Sequence, residues 1–296
     1  MRETVLRGAA SLLERKGFQT FTCSGTHACF DLVARRGSEL FLVKALENVD
    51  AFSGEQARDM AKIASMFGSR ALLLGEATKE GKMLDGVLYE RHAIPTVTVR
   101  TLGGIVEGEF PEARKFKVLA FAIDSGKLAG ARRKKKLKMG ALAEASGISR
   151  VTLSRYERGE TGASEENLEK LEGVLGTGLR KPIDPFQAPA TGAPVDEETA
   201  FSFLGFTCVK AESAPFEIAA RHKRRLFAGE EADRRTMKKR AEIYANISGM
   251  LDSLPCFLLA ESKANQINGI PVLRVGELKR IREERELLKL LQERSE

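Results

Sequence analysis

The chain has 296 residues, 43% of them hydrophobic, a length and composition that suit two or three globular domains, each able to bury a core. Its 48 Lys and Arg stand against 41 Asp and Glu, a net charge of +7, too small an excess to name an anionic partner by itself. No apolar run reaches the roughly 18 residues of a membrane span, and the N-terminal MRETVLRGAASLLERKG lacks the apolar stretch of a signal peptide. No membrane partner is expected, and the cytoplasm is the expected compartment.

In chain order, the first predicted element is a helix over 3–16, with Val5, Ala9, Leu12 and Leu13 at helical spacing and Gly17 to stop it. Short β-prone runs follow at Phe30 to Ala34 and Leu40 to Val43, separated by a turn at Arg36-Gly37-Ser38. An amphipathic helix over 54–67 ends at Gly68, and Ala71 to Leu74 and Pro95 to Val99 read as further strands. These blocks recur. FDLVARRGSELF (30–41) aligns without a gap with FEIAARHKRRLF (216–227), and Gly17-Phe18 matches Gly205-Phe206. ALLLGE (71–76) matches CFLLAE (256–261), and IPTVTVRTL (94–102) matches IPVLRVGEL (270–278), all in the same order. The pattern predicts a second copy of one α/β unit over about 196–279, packed with the first as an internal pair. A charged helix over 276–294 follows, with Leu278, Ile281, Leu288 and Leu291 on one side.

Between the copies the chain changes character. FKVLAFAI (116–123) reads as a strand leading in, and residues 127–138 carry seven basic side chains and no acid. Such a run is either a solvated helix face or one turned toward an anion. In LKMGALAEASGISRVTLSRYERGETGASEENLEKLEGVLG (137–176), a helix begins near Lys138, carries Leu142 and the small Ala143, and ends at Gly147. Ile148 plugs the turn, and Ser149 is an N-cap for a helix over 150–158. That helix is expected to bury Leu153 and Tyr156, to expose Arg150, Val151, Ser154 and Arg155, and to end at Gly159. Ser164 caps a further helix carrying Leu168, Leu171 and Leu175. KPIDPFQAPATGAPV (181–195) holds four of the nine prolines and reads as an extended linker.

The central segment resembles the Cro/lambda-repressor family of helix-turn-helix domains, through GISRVTLSRYERG and ENLEKLEGVLG. The resemblance implies double-stranded DNA as the partner, with the 150–158 helix in the major groove. Arg150, Val151, Thr152 and Arg155 would face base edges, arginine suiting guanine O6 and N7. Ser149, Lys138 and Arg158 would face phosphates. Met139 stands where many members carry a backbone-contacting glutamine, and Lys138 is the expected substitute. The resemblance further implies a partly buried salt bridge between Arg132 and Glu157. It also implies a homodimer across half-sites about 34–36 Å apart, to which the apolar side of 276–294 could contribute.

The first flank, ERKGFQTFTCSGTHACFDLVARRGSELFLVK (14–44), is similar to archaeal Holliday-junction resolvases and the wider PD-(D/E)xK nuclease superfamily. That fold places an Asp on one strand and E-x-K on the next; the carboxylates hold Mg²⁺ and the lysine serves water or phosphate. Asp31 and Lys44 match the first and last positions, whereas Leu42 replaces the metal-binding Glu and Phe30 the proline. In the second copy Glu217 matches the Asp, and in the ungapped alignment Ala228 and Glu230 replace the Glu and the Lys. One carboxylate seldom holds Mg²⁺ productively, so Asp31 and Lys44 read as vestigial nuclease positions and the chain is not expected to be an enzyme. Cys23, Cys29, Cys208 and Cys256 form no CxxC pair, and no metal or cofactor is expected. The three-part layout also resembles a group of archaeal proteins assigned as transcriptional regulators.

The expected fold is α/β plus all-α. It comprises a degenerate nuclease-like domain over 1–115, a helix-turn-helix domain over 116–180, a linker over 181–195, and a second nuclease-like domain with a C-terminal helix over 196–296. The expected function is a sequence-specific, chromosome-associated DNA-binding regulator. Two alternatives stand beside it: a Mg²⁺-dependent structure-selective nuclease of resolvase type, and a co-activator bridging to the transcription machinery. No motif singles out a small-molecule effector.

Overall fold

The computed structural model describes residues 2–23, 28–115, 118–187 and 196–295. The chain forms two compact units, one drawn from Met1–Gly81, Arg91–Ile94 and Ala188–Glu296, the other from Lys82–Glu90 and Pro95–Gln187.

The first unit opens with α1 (Arg2–Arg15), which buries Val5, Ala9 and Leu13, a single apolar stripe four residues apart. Gly17 then takes φ 81°, a left-handed value that glycine adopts without a Cβ clash. Strands β1 (Gln19–Thr22), β2 (Leu32–Arg36) and β3 (Glu39–Ala45) pair antiparallel, and β4 (Arg70–Leu74) joins β3 in parallel. α2 (Gly54–Phe67) makes the crossover between β3 and β4; Ser53 and Gln56 form a capping box at its start and Gly68 closes it. Leu32, Val33, Ala34, Phe41, Leu42 and Val43 are all buried. Successive side chains point to opposite faces, so continuous burial means both faces are covered. β5 (Ala77–Thr78) and β6 (Gly81–Lys82) form a short ribbon.

The second unit contains β7 (Val87–Arg91), β8 (Ile94–Val97), α3 (Val99–Ile105), β9 (Ala113–Lys115) and β10 (Leu119–Phe121), with strand order β8-β7-β9-β10. Four helices follow: α4 (Ser125–Lys134), α5 (Met139–Ser146), α6 (Arg150–Glu157) and α7 (Glu165–Leu175). β9 pairs with both β7 and β10, which ties residues 82–90 and 95–115 to the helices. The second compact unit thus includes strands that precede the helical segment as well as the helices themselves. Val99 opens α3 rather than ending a strand, because Thr98 Oγ1 accepts from Thr101 N at 3.2 Å and caps the helix. Of the strand expected over 116–123, Leu119–Phe121 is a strand, and residues 116 and 117 lie outside the described residues. Residues 188–195 of the expected linker also lie outside them. Its beginning is fastened to the unit: Lys181 N donates to Ala122 O at 3.0 Å and Ile183 N to Pro111 O at 2.7 Å.

The first unit resumes with β11 (Thr207–Lys210), β12 (Ile218–Arg221), β13 (Arg225–Gly229), α8 (Arg234–Leu251) and β14 (Leu254–Leu259). β15 (Gln266–Ile267), β16 (Ile270–Arg274), α9 (Val275–Leu278) and α10 (Glu284–Glu293) complete it. β11, β12 and β13 pair antiparallel, and β14 joins β13 in parallel with α8 as the crossover, the same arrangement as β1 to β4 with α2. The leading helix is not repeated; a 3-10 turn at Ser202–Leu204 stands in its place. The copies exchange helices, α2 packing on β11 and β12 while α8 packs on β1 and β2. Arg35 of β2 donates to Met250 O at the end of α8 (2.7 Å), and Arg221 of β12 donates to Ser65 O at the end of α2 (3.4 Å). Contacts that answer one another in this way define a pseudo-two-fold axis within one chain. Around it, Phe67 of α2 meets Phe216 and Phe227 edge-on at 6.0 and 6.4 Å.

Two sequence expectations change. The repeat needs a gap: the β2–β3 turn spans two residues, Arg36 pairing with Glu39, whereas the β12–β13 turn spans three, Arg221 pairing with Arg225. Phe227 thus takes the position of Leu42, and Gly229 that of Lys44, in place of Ala228 and Glu230. The helix expected over 276–294 is two helices, and Leu287 rather than Leu288 is buried with Leu278, Ile281 and Leu291. These four side chains belong to the core that packs on β12, β13 and β14, so this apolar side is spent within the chain and does not serve a homodimer.

Candidate nucleic-acid interface

Local chemistry sets each turn of the helical segment. Lys138, the N-cap of α5, has no side-chain acceptor to offer the helix start and is exposed there. Gly147 takes φ 68°, and Ile148 is buried beneath the turn. Ser149 Oγ accepts from Thr152 N at 3.1 Å and so caps α6. α6 buries Leu153 and Tyr156. Arg150, Val151 and Arg155 lie on its outer side, Val151 at 70% exposure, with Thr152 half-buried. The Arg150 guanidinium lies over Gly140 at the start of α5, where a Cβ would strike it. Ser125 Oγ donates to Tyr156 O at 2.8 Å, and Asn167 Nδ2 to Tyr156 Oη at 3.2 Å, which fixes the inner side of α6.

Arg132 of α4 and Glu157 at the end of α6 meet in a two-pronged pair. Nε donates to Oε1 at 2.6 Å, Nη2 to Oε2 at 2.9 Å, and Nη1 to Leu137 O at 3.0 Å. Both side chains are largely buried, and the Glu157 hydrogen bonds push the Arg132 pKa further above its ordinary value. The basic run is therefore not uniform: Arg132 faces inward while Arg133, Lys134, Lys135 and Lys136 are exposed. Arg158 is held at the far end of α6, where Nε donates to Glu160 Oε1 at 2.5 Å and Nη2 to Oε2 at 3.0 Å. Arg155 Nε stands 3.9 Å from the same carboxylate.

The nuclease-like positions show different chemistry. Asp31 and Lys44 are both buried, with Lys44 Nζ donating to Asp31 Oδ1 at 3.1 Å and to Ala28 O at 2.5 Å. Ala45 N donates to Asp31 Oδ2 at 3.0 Å, and Arg2 of α1 also pairs with Oδ1. Leu42 is fully buried on the adjacent strand, opposite Val33. This donor set does not fit a divalent cation, because the single carboxylate already has both oxygens occupied. In the second copy Glu217 pairs with Arg240 and accepts from Glu230 N at 2.9 Å. Tyr244 fills the space over Gly229, leaving no room for even a Cβ, and donates to Pro215 O at 3.0 Å. Among the described residues no group of three His, Cys, Asp or Glu is arranged to hold a metal ion, and no helix is long and apolar enough to cross a membrane.

The PD-(D/E)XK superfamily domain family matches residues 2–111, and the Helix-turn-helix family matches residues 128–181. A protein of Pyrococcus horikoshii assigned as an HTH-type transcriptional regulatory protein is 34% identical, over 99% of this chain and 98% of its own length. The chain belongs to this archaeal family of helix-turn-helix regulatory proteins. A Pyrococcus abyssi relative with the same assignment is 32% identical over 100% of the chain and 98% of its own length. One from Methanothermobacter thermautotrophicus is 30% identical over 99% and 97%. No solved structure matches the chain. The regulator is thus a DNA-binding helix-turn-helix protein that carries a PD-(D/E)XK domain at its N-terminal end.

Of the residues singled out from the sequence, Lys138, Ser149, Arg150, Val151, Thr152, Arg155 and Arg158 gather along α6 and the start of α5, and Arg132 stands apart from them, turned to Glu157. Sequence reasoning missed Glu160, which sits only two residues beyond Arg158. The signal that could have found it was an acid just past the helix end, within reach of two arginines.

Proposed function

We propose that this regulator reads a specific duplex sequence with α6 in the major groove. Arg150, Val151, Thr152 and Arg155 face base edges, and Lys138, Ser149 and Arg158 face the flanking phosphates. The observation that carries this is the sidedness of α6: Leu153 and Tyr156 anchor it, while an apolar Val151 is left 70% exposed between two exposed arginines. An exposed valine there suits a thymine methyl, and the arginines suit guanine edges. Arg158 reaches a phosphate only by exchanging Glu160 for it. The second α/β copy is read as a duplicated nuclease-like unit, both copies serving as scaffold without catalysis. Two chains are proposed to pair over half-sites one helical turn apart, through surfaces other than α10.

In vitro selection from random duplexes tests the reading, and a recurrent motif is expected. Arg150→Ala should lose about 1–3 kcal/mol of discrimination at one base pair, with unfolding unchanged. Arg132→Ala should lower unfolding stability and DNA affinity together, by up to about 3 kcal/mol, since Glu157 is left unpaired. Selection that returns no motif would sink sequence-specific reading. Cleavage of duplex or branched DNA with Mg²⁺ or Mn²⁺ would sink the scaffold reading of the nuclease-like copies.

A further inference from the structure

Helices of the α/β unit mostly obey the macrodipole, which favours acids in the first turn and opposes cations there. Glu3 opens α1, Glu55 opens α2, and Glu284 and Glu286 open α10. α8 does the opposite. Its first turn holds no acid and begins Arg234-Arg235, and Lys238, Lys239 and Arg240 follow within the next turn. Across the pseudo-two-fold axis, α2 supplies the comparison: α8 has 18 residues against 14. With the two helices matched at their ends, the extra turn is the one that carries the two arginines.

The opposite, apolar side of α8 holds it to the sheets. Met237, Ala241, Tyr244, Ile247 and Leu251 form its buried side, and Asp233 caps its start by accepting from Arg235 N and Thr236 N. Arg240 is turned inward to Glu217. Arg234, Arg235, Lys238 and Lys239 are exposed, and their spacing puts them on one side of the helix. Arg235 and Lys239, with Ser213, border a cavity of about 610 Å³, in which Glu212 and Asp233 are the acids. Glu230, Glu231 and Asp233 precede these cations and exposed Glu242 follows one turn on, so the basic patch is confined to the first two turns of α8. Asp233 supplies the acid that the helix dipole favours at this end, and the four cations stand exposed beyond it.

We propose that the exposed basic side of α8, Arg234, Arg235, Lys238 and Lys239, is a second DNA-binding surface of the regulator, contacting the phosphate backbone of duplex DNA independently of the helix-turn-helix. Charge complementarity selects the occupant: four cations in two turns face a polyanion, and the side carries no large apolar residue to seat a protein partner. Such a surface adds affinity and no sequence preference, because phosphates carry no base identity. It would give a protein with one recognition helix a second hold on the duplex.

The test uses the full chain with Arg234, Arg235, Lys238 and Lys239 all changed to glutamine, measured against a duplex of about 60 base pairs over a salt series. Each phosphate that is no longer neutralised should lower the slope of log K against log salt by about 0.9. The expected result is therefore a slope smaller by about 2 to 4, with weaker binding to specific and random duplexes by the same factor. Any motif recovered by selection should stay unchanged. Thermal unfolding is followed alongside, and an unchanged transition assigns the weaker binding to the surface rather than to misfolding. Unchanged slope and affinity would overturn the proposal. The Arg150→Ala, Arg155→Ala double variant separates the two readings: if it keeps random-duplex binding that the α8 variant loses, the α8 surface stands whatever becomes of sequence-specific reading by α6.

Discussion

The two α/β copies share a strand order and a crossover helix, yet their corresponding positions do different work. In the first copy the motif carboxylate, Asp31, is sealed inside with Lys44 and made part of the core. In the second, Glu217 is partly exposed, its partner Arg240 comes from the crossover helix, and Tyr244 occupies the space over Gly229. The first copy keeps a 14-residue leading helix where the second has a single 3-10 turn. The lesson is that a duplicated fold constrains backbone pairing and the exchange of helices across the pseudo-two-fold axis, but not the chemistry at the strand ends. Once two copies stabilise each other, corresponding carboxylates can form a buried ion pair in one and a surface pair in the other.

That comparison is sharpest at the two carboxylates. Asp31→Ala leaves the Lys44 ammonium buried and unpaired, and should cost about 3–5 kcal/mol in urea unfolding. Glu217→Ala should cost about 1 kcal/mol or less, because its pair is partly solvated. Equal costs would mean that the two sites are buried alike and would break the contrast. The reciprocal arginines come next. Arg35→Ala removes a 2.7 Å bond to Met250 O and Arg221→Ala a 3.4 Å bond to Ser65 O. About 1–2 kcal/mol is expected for the first and roughly half that or less for the second. A larger effect at Arg221 would show that the pseudo-two-fold contact is not limited by bond geometry.

The thiols should show the least difference. Burial pushes the Cys23 and Cys256 pKa values up to about 12, and raises Cys29 and Cys208 as well. The thiolate is the reactive form, so at pH 8 none of the four should be labelled by an aromatic disulfide reagent until the chain is unfolded, when all four should react. Rapid labelling of one thiol in the native protein would show that its copy opens locally.

Much of the regulator is legible in its sequence because the deciding interactions are short in range. Ser149, Gly147, Ser164 and Gly176 set helix ends from within four residues, and the apolar spacing of Leu153 and Tyr156 is read from the same stretch that folds. The Arg132–Glu157 pair was accessible only through family resemblance, since the two residues lie 25 apart in the chain. The repeat could be seen in four blocks because paired strands keep their pattern of burial. Its one-residue gap could not, because the length of a turn is revealed by which backbone groups pair across it.

What only the tertiary structure decided follows from contacts between distant segments. Leu278, Ile281 and Leu291 look like a free apolar side until the core against β12, β13 and β14 claims them. The ion pairs of Asp31 bring together Arg2, 29 residues away, and Lys44 of the next strand. The basic start of α8 can be read as letters, RRTMKKR, but its meaning depends on which of those cations fold inward. Arg240 turns to Glu217, and Arg234, Arg235, Lys238 and Lys239 stay exposed to solvent. Helical spacing fixes which side chains share a side; only packing of the opposite side against the sheets fixes which side faces water.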